Sequence, residues 1–181
     1  MIRMTKIAHE ILSAHLKPGD TAIDATCGNG YDTIFLAKLV GPNGLVHAYD
    51  IQEKAINETK KKAIIEQLTN IRFHLASHET ISEEQIDAVI FNLGYLPKTD
   101  KTITTKSETT IKTLTSLLNK MNNYPNLLIV LVIYPGHEEG KKESFAIESL
   151  LKNYANNLFG IMRCQLNTAD SPYVIAIKKR I

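Results

Sequence analysis

The stretch DATCGNGYDT (residues 24–33) decides how this chain is interpreted. The residues around its start, TAIDA (21–25), predict a strand, and those from Tyr31 to Leu39 predict a helix. A glycine-containing turn between a strand and a helix is where doubly wound folds bind nucleotides, because glycines let backbone N–H groups approach the ligand closely. We therefore expect a nucleotide-type ligand beside Gly28 and Gly30.

Three residues before, within and after this turn indicate which nucleotide it binds. A dinucleotide fingerprint needs a third glycine, and Thr33 stands at that position. Asp24 would repel a pyrophosphate, but it suits a ligand with an ammonium or a sulfonium group, and S-adenosylmethionine (SAM) carries both. Asp50, at the end of the next predicted strand, can accept the ribose hydroxyls that NAD and SAM share. The turn therefore favours SAM and disfavours a dehydrogenase.

Segments of strand type and helix type alternate along the chain, which predicts an α/β fold with a mostly parallel sheet. Strands are predicted at 21–25, 45–50, 71–76, 86–93 and 126–134, and helices from Met4 and at 31–39, 52–68, 107–121 and 139–155. The last two β-type runs, 159–166 and 171–180, predict an antiparallel hairpin that brings the sheet to seven strands. No repeat or linker divides the chain, so residues 1–181 are expected to form a single domain.

Composition narrows the class of protein. The chain has 181 residues, of which 44% are hydrophobic and 22% charged, as in an ordinary globular domain. It contains neither an apolar run long enough for a membrane span nor a signal-type start, so no membrane partner and a cytoplasmic location are expected. The net charge of +2 is too small for a dedicated nucleic-acid coat, although a local contact with RNA stays open.

A second informative stretch, FNLGYLP (91–97), lies where the fourth predicted strand ends. Asn92 offers an amide donor and a carbonyl acceptor, and Tyr95 offers a ring that can stack on a base or flank an amine. The stretch resembles the Asn/Asp-Pro-Pro-Tyr loop of amino methyltransferases, with Leu93-Gly94 in place of the two prolines. In those enzymes the Asn side chain and a backbone carbonyl hold the acceptor nitrogen. The resemblance therefore implies catalytic roles for Asn92 and Tyr95.

The carboxyl ends of the other strands should meet at the same edge of the sheet. Ser77 and His78 follow the third strand and are candidates for contact with an adenine. His137 and Glu139 follow the fifth strand and are further candidates for catalytic contact with a substrate. The polar run from Lys98 to Thr110 is expected to form a flap over the site.

Taken together, these motifs resemble a family labelled "putative rRNA methylase". Its bacterial members include an enzyme that methylates the aminomethyl group of wobble uridine in tRNA. The resemblance is carried by DATCGNGYDT, YDIQ (49–52), FNLGYLPKTDK (91–101), the threonines between Thr104 and Thr110, YPGHEEGKKE (134–143) and SPY (171–173). It implies a Rossmann-like class I methyltransferase fold with helices on both faces of the sheet, and it implies SAM as the cofactor. The cofactor contacts it implies are Thr26, Gly28, Asn29, Gly30, Asp32, Thr33, Asp50, Gln52 and His78, to which we add Asp24, Ser77 and Asn92 as candidates.

The resemblance also implies a substrate. The reaction would convert the aminomethyl group of a (2-thio)uridine to its methylaminomethyl form, with a tRNA anticodon stem-loop as the partner. The sequence leaves the oligomeric state open, and a homodimer is one expected assembly. The residues by themselves indicate a SAM-dependent methyltransferase and leave its acceptor open. An amine, rRNA and a small molecule are the candidate acceptors, and a non-enzymatic nucleotide-binding module is a further alternative. Lysine-rich runs at 60–62, 141–142 and 178–180 could meet phosphates or could be solvated surface.

Overall fold

The computed structural model describes residues 3–94, 107–154, 158–166, 168 and 170–180. The strands are β1 (Thr21–Asp24), β2 (Leu45–Asp50), β3 (Ile71–Leu75), β4 (Ala88–Asn92), β5 (Leu128–Ile133), β6 (Phe159–Gln165) and β7 (Tyr173–Lys179). The helices are α1 (Met4–His15), α2 (Tyr31–Val40), α3 (Glu53–Ile65), α4 (Ser107–Lys120) and α5 (Glu138–Tyr154), and a 3₁₀ turn spans His78–Thr80. Each of these elements was predicted from the sequence except the 3₁₀ turn.

The strands form one sheet in the order β3-β2-β1-β4-β5-β7-β6. The first five strands pair in parallel, whereas β7 pairs antiparallel with both β5 and β6. The predicted mostly parallel seven-stranded sheet with a terminal hairpin is therefore confirmed. Because the strand order reverses between β1 and β4, a crevice opens beyond their carboxyl ends, which is where this type of sheet binds ligands.

Helices cover both faces of the sheet. On one face, α1 and α2 pack on β1, β4 and β5 through a cluster that includes Leu12, Leu36 and Val130. On the other face, α4 and α5 pack through a cluster that includes Leu117 and Ile147. Strand β5 is buried along its whole length because helices cover both of its faces, which explains its continuous apolar sequence.

The predicted third helix is too long by three residues at its carboxyl end. The helix ends at Ile65 rather than at residue 68, because Gln67 adopts a left-handed backbone with φ 55°. The Leu68 N–H then bonds the Ala63 carbonyl at 2.9 Å, and the Gln67 N–H bonds the Ile64 carbonyl at 3.1 Å. This pattern closes the helix as a Schellman motif without the glycine that usually marks one.

Within the described ranges, none of the helices combines the length and the apolar character needed to cross a membrane.

Helix α2 depends on Gly30, which precedes it with a left-handed φ of 77°. A Cβ added at Gly30 would lie 2.4–2.8 Å from side-chain atoms of Thr59, which is fully buried on α3. Position 30 therefore requires glycine for two reasons: its backbone is left-handed, and the Thr59 side chain leaves no room for a Cβ. Gly19 has φ 98° but nothing within 4 Å of an added Cβ.

We expect Gly30→Ala to lower the free energy of unfolding by about 2–5 kcal/mol, the sum of left-handed backbone strain and overpacking against Thr59. Gly19→Ala should lower the free energy of unfolding by only about 1–2 kcal/mol, the cost of left-handed backbone strain alone. Urea unfolding of both variants measures the difference. Equal losses would show that the contact with Thr59 is relieved at little cost.

Candidate active site

A cleft of about 900 Å³ opens at the carboxyl edge of the parallel strands. Its walls come from the loops that follow the first five strands and from Asp170 and Pro172, just before β7. The volume lies within the range of cofactor and small-ligand sites. The cleft therefore occupies the predicted crevice between β1 and β4.

The loop after β1 is built around the carboxylate of Asp24. Its Oδ1 accepts the Thr26 N–H at 3.1 Å, and its Oδ2 accepts the Thr33 hydroxyl at 2.5 Å. Asp24 is fully buried and does not line the cleft. Its carboxylate bonds the loop that folds over the end of β1, and its contact with a cationic ligand stays a prediction.

Burial and the nearby Asp32 raise the pKa of Asp24 to about 7. A buried carboxyl group beside a second carboxylate resists ionisation, because desolvation and like charge both disfavour the charged form. The site therefore holds a carboxyl group that titrates near neutral pH beneath the loop.

Asp50, at the end of β2, faces the cleft. Its Oδ2 accepts the Gly28 N–H and its Oδ1 accepts the Gln52 N–H, both at 2.8 Å. Burial raises the pKa of Asp50, although these two N–H donors act in the opposite direction. Each carboxylate oxygen has further acceptor capacity, so two hydroxyl groups of a ligand can still bind there.

Asn92, at the end of β4, is held from two directions. Its backbone N–H donates to the Thr26 hydroxyl at 2.7 Å, which ties β4 to the loop after β1. Its side-chain amide donates to Oδ2 of Asp32 at 3.0 Å. Oδ1 of Asp32 in turn lies 2.6 Å from Nε2 of His9, whose ring stacks on Phe35 at 3.7 Å. With its amide nitrogen engaged by Asp32, Asn92 has its carbonyl oxygen available for a ligand in the cleft.

The connection after β3 contributes Ser77 and His78 to the cleft wall. The Ser77 hydroxyl accepts the Glu79 N–H and so caps the 3₁₀ turn. His78 is buried, and burial lowers its pKa, so its imidazole is neutral at neutral pH. Its Nε2 has no hydrogen-bond partner among the described residues. A buried ring nitrogen in this state fits a site that a polar ligand completes.

His137 and Glu139 differ in position. His137 lines the cleft, and its Nδ1 accepts the Gly140 N–H at 3.0 Å, so this ring caps the start of α5. Glu139 points away from the cleft wall and pairs with Lys142 at 2.7 Å on the exposed face of α5. Glu139 lies in the first turn of α5, two residues after His137, and its contact with a substrate stays a prediction.

The structure brings most of the predicted site residues together. Those that line the cleft are Thr26, Gly28, Asn29, Asp32, Asp50, Gln52, Ser77, His78, Asn92 and His137. Asp24, Gly30, Thr33 and Glu139 do not line it. Gly30 and Thr33 shape the loop instead, through the start of α2 and the bond to Asp24. Tyr95 and residues 98–106 of the expected flap lie outside the described residues.

Three residues near the cleft, His9, Tyr31 and Tyr134, were not among the candidates named from the sequence, whereas Lys62 belongs to the lysine-rich run 60–62 that was. His9 contacts Asp32 from α1, which the chain order does not place near the cleft. Tyr31 and Tyr134 line the cleft, and the Lys62 ammonium lies 3.7 Å from the centre of the Tyr31 ring while donating to the Asn29 carbonyl. Tyr31 lies within DATCGNGYDT and Tyr134 begins YPGHEEGKKE, and their place in these motifs is the signal that could have found them.

Solved structures with close sequence similarity share this fold. A crystal structure titled as a "putative rRNA-methylase" from Clostridium thermocellum is 35% identical and superposes with a TM-score of 0.91 over 99% of each chain. A "putative methyltransferase" from Streptococcus mutans, solved in complex with SAH, is 31% identical with a TM-score of 0.84 over 99% of each chain. The fold and the cleft thus define a Rossmann-like methyltransferase domain of the class that uses SAM.

The chain belongs to the family described as "Putative rRNA methylase", whose model matches residues 46–178. A chloroplastic tRNA (mnm(5)s(2)U34)-methyltransferase from Arabidopsis thaliana is 37% identical over 163 residues. That match covers 81% of this chain and 58% of the plant protein. The resemblance noted from the sequence motifs is confirmed at the level of the family.

The raised pKa of Asp24 predicts a pH-dependent stability. The folded pKa of about 7 lies above the ordinary value of 3.8, so the stability linked to the neutral carboxyl is present below about pH 4 and is lost as the pH rises through 7. Asp24→Asn keeps the shape and cannot ionise. As the pH rises from about 5 to 8, the parent should lose unfolding free energy that the variant keeps. The difference between variant and parent should therefore shift in favour of the variant by on the order of 2–4 kcal/mol.

Urea unfolding at both pH values measures this gain. Glu84→Gln, which removes a negative charge from an exposed side chain, is the control. A constant difference between Asp24→Asn and the parent across the range would contradict the raised pKa.

Proposed function

We propose that this protein transfers a methyl group from SAM to the aminomethyl nitrogen of wobble (2-thio)uridine in tRNA, giving the methylaminomethyl form. The observation that carries the proposal is Asn92, which lines the cleft and whose amide nitrogen bonds Asp32, so that its carbonyl oxygen is left to accept from a ligand. The plant relative, named for mnm(5)s(2)U34 in tRNA, supports the choice of substrate.

The cleft residues fit SAM. We assign the ribose hydroxyls to Asp50, which keeps acceptor capacity beyond its two backbone partners. We assign the adenine to Ser77 and His78, because His78 brings a buried nitrogen without a partner to that wall. The backbone of Gly28 and Asn29 and the side chain of Asp32 are assigned to the amino-acid portion, whose ammonium suits a carboxylate.

SAM supplies a methyl group bonded to a positively charged sulfur. The substrate amine brings the lone pair that forms the new C–N bond, while the C–S bond breaks and its electrons stay on sulfur. The amine nitrogen gains positive charge in this step, and the carbonyl oxygen of Asn92 can accept its N–H and stabilise that charge. Much of the acceleration then comes from holding the amine in line with the methyl group.

Asp32 and His9 act as positioning residues in this proposal. Asp32 accepts the Asn92 amide on one oxygen and faces His9 on the other. A His9 N–H donated to Asp32 holds this carboxylate in place, and Phe35 fixes the ring plane of His9. The amide of Asn92 is therefore oriented by a chain of contacts that begins on α1.

RNA would approach from the rim formed by Tyr31 and Lys62. Tyr31 is 71% exposed beside the cleft, so it offers a ring for base stacking next to a cation for phosphate. The basic run at 178–180 is a poorer candidate. Lys178 pairs with Leu128 at the start of β5, so it lies at the edge of the sheet opposite the cleft. The expected homodimer stays a prediction.

Methylation of rRNA is the second candidate, because the family description names it. The two substrates are separated by mass spectrometry of nucleosides from cells with and without the gene. We expect tRNA without the gene to lose methylaminomethyl uridine and accumulate the aminomethyl form. If the levels of these two uridines in tRNA do not change and a methylated nucleoside is instead missing from rRNA of cells without the gene, the tRNA assignment is wrong.

One variant should impair catalysis and another should impair SAM binding. We expect Asn92→Ala to lower kcat by about 100-fold or more, with SAM affinity within a few-fold, because it removes an oxygen that stabilises the developing charge. Asp50→Ala should weaken SAM binding by about 1–3 kcal/mol, the scale of a lost charged hydrogen bond. Calorimetry with SAM and single-turnover assays on tRNA measure the two effects. An Asn92→Ala variant that keeps near-normal turnover would rule out the role assigned to its carbonyl.

A further inference from the structure

A second cluster of reactive side chains lies on the sheet outside the cleft. Nδ1 of His47 on β2 lies 3.0 Å from Nε2 of His74 on β3 and 2.9 Å from Oε1 of Glu83. The third side of this triangle, from His74 Nε2 to Glu83 Oε1, is 3.9 Å. Three atoms that carry lone pairs thus converge from two strands and one connecting segment.

The sheet register brings the two histidines together. Strands β2 and β3 pair with Tyr49 opposite His74, and His47 precedes Tyr49 by two residues, so all three side chains lie on one face of the sheet. Asp50 follows on the opposite face and serves the cleft. The cluster and the cleft therefore share a strand but use different faces of it.

Hydrogen bonding alone satisfies this cluster poorly. A proton on His47 Nδ1 can be directed to His74 or to Glu83, but not well to both. If the proton is on His74 Nε2 instead, His47 Nδ1 and Glu83 Oε1 are two acceptors 2.9 Å apart with no proton between them. Protonating both facing nitrogens would set two N–H groups against each other. A cation at the centre of the triangle resolves the conflict, because all three atoms can then donate lone pairs.

We propose that His47, His74 and Glu83 bind a divalent transition-metal ion. An ion at the centre of the triangle would lie about 2 Å from each of the three atoms, which is the coordination distance of Zn²⁺ to histidine nitrogen and carboxylate oxygen.

The donor set indicates the class of ion. Two imidazole nitrogens and one carboxylate suit Zn²⁺ and its first-row neighbours, whereas Ca²⁺ and Mg²⁺ prefer oxygen ligands. The Tyr49 hydroxyl donates to Oε1 of Glu83 at 2.5 Å and orients the carboxylate, as outer-shell partners of metal ligands do.

Access to the site is through His74. The side chain of His74 is 31% exposed, compared with 8% for His47 and 15% for Glu83. Three protein ligands leave a coordination position for water on the open side. The ion would tie the connection between β3 and β4, which carries Ser77 and His78 of the cleft wall, to the two strands. We expect its main effect to be stabilisation of that connection.

Zn²⁺ titration of the tag-free protein, without SAM or RNA, tests the proposal independently of the methyl-transfer function. We expect one equivalent of Zn²⁺ to bind and to raise the Tm. His74→Gln and Glu83→Gln should each weaken binding by at least about 10-fold, because each removes a ligand. The matched controls are Glu84→Gln, beside Glu83 but exposed, and His15→Gln, whose ring bonds the Asp87 carbonyl. Both controls should bind Zn²⁺ as the parent does.

Absence of binding by the parent, or equal binding by all four variants, would overturn the proposal. Diffraction from crystals of the parent soaked in Zn²⁺, recorded at the zinc absorption edge, gives a second test that does not depend on the folding of any variant. An anomalous peak about 2 Å from the three atoms supports the site. A peak elsewhere, or none, rejects it.

Discussion

The carboxyl group of Asp24, buried where β1 ends, is the constraint on which the cleft depends. It accepts the Thr26 N–H and the Thr33 hydroxyl, so it fixes both ends of the glycine-containing loop. With the loop fixed, the Thr26 hydroxyl accepts the N–H of Asn92, and α2 starts in the direction that brings Asp32 to the same residue. The proposed amine-binding group is therefore positioned by contacts that trace back to one buried side chain.

This arrangement concentrates acidic groups at one point. Asp24, Asp32 and Asp50 all surround the loop, and burial together with mutual repulsion raises the pKa of Asp24. A site of this kind is less stable without a positive partner than with one. SAM carries two positive groups, and His9 contacts Asp32 from α1. The same charges that favour a cationic ligand thus also make the empty loop sensitive to pH.

Strand β2 serves two sites because successive side chains point to opposite faces. Asp50 faces the cleft. On the opposite face, His47 belongs to the cluster that we propose to bind a metal, and Tyr49 donates a hydrogen bond to it. The connection between β3 and β4 joins the two sites, since it carries His78 at one end and Glu83 at the other. A metal ion bound to the cluster would therefore stabilise the wall of the cleft to which we assign the adenine.

The sequence by itself determined the order and type of the elements, the crevice at the turn after β1 and most of the residues that line it. It could do so because apolar runs mark buried strands, and because the carboxyl ends of parallel strands meet at one edge. Tertiary structure alone decided where single side chains point and which distant residues meet. Asp24 is buried beneath the loop, and Glu139 pairs with Lys142 on the surface. His9 contacts Asp32, and His47 lies close to both His74 and Glu83. These outcomes depend on helix rotation and strand register, which the packing of the whole core sets and which no local pattern specifies.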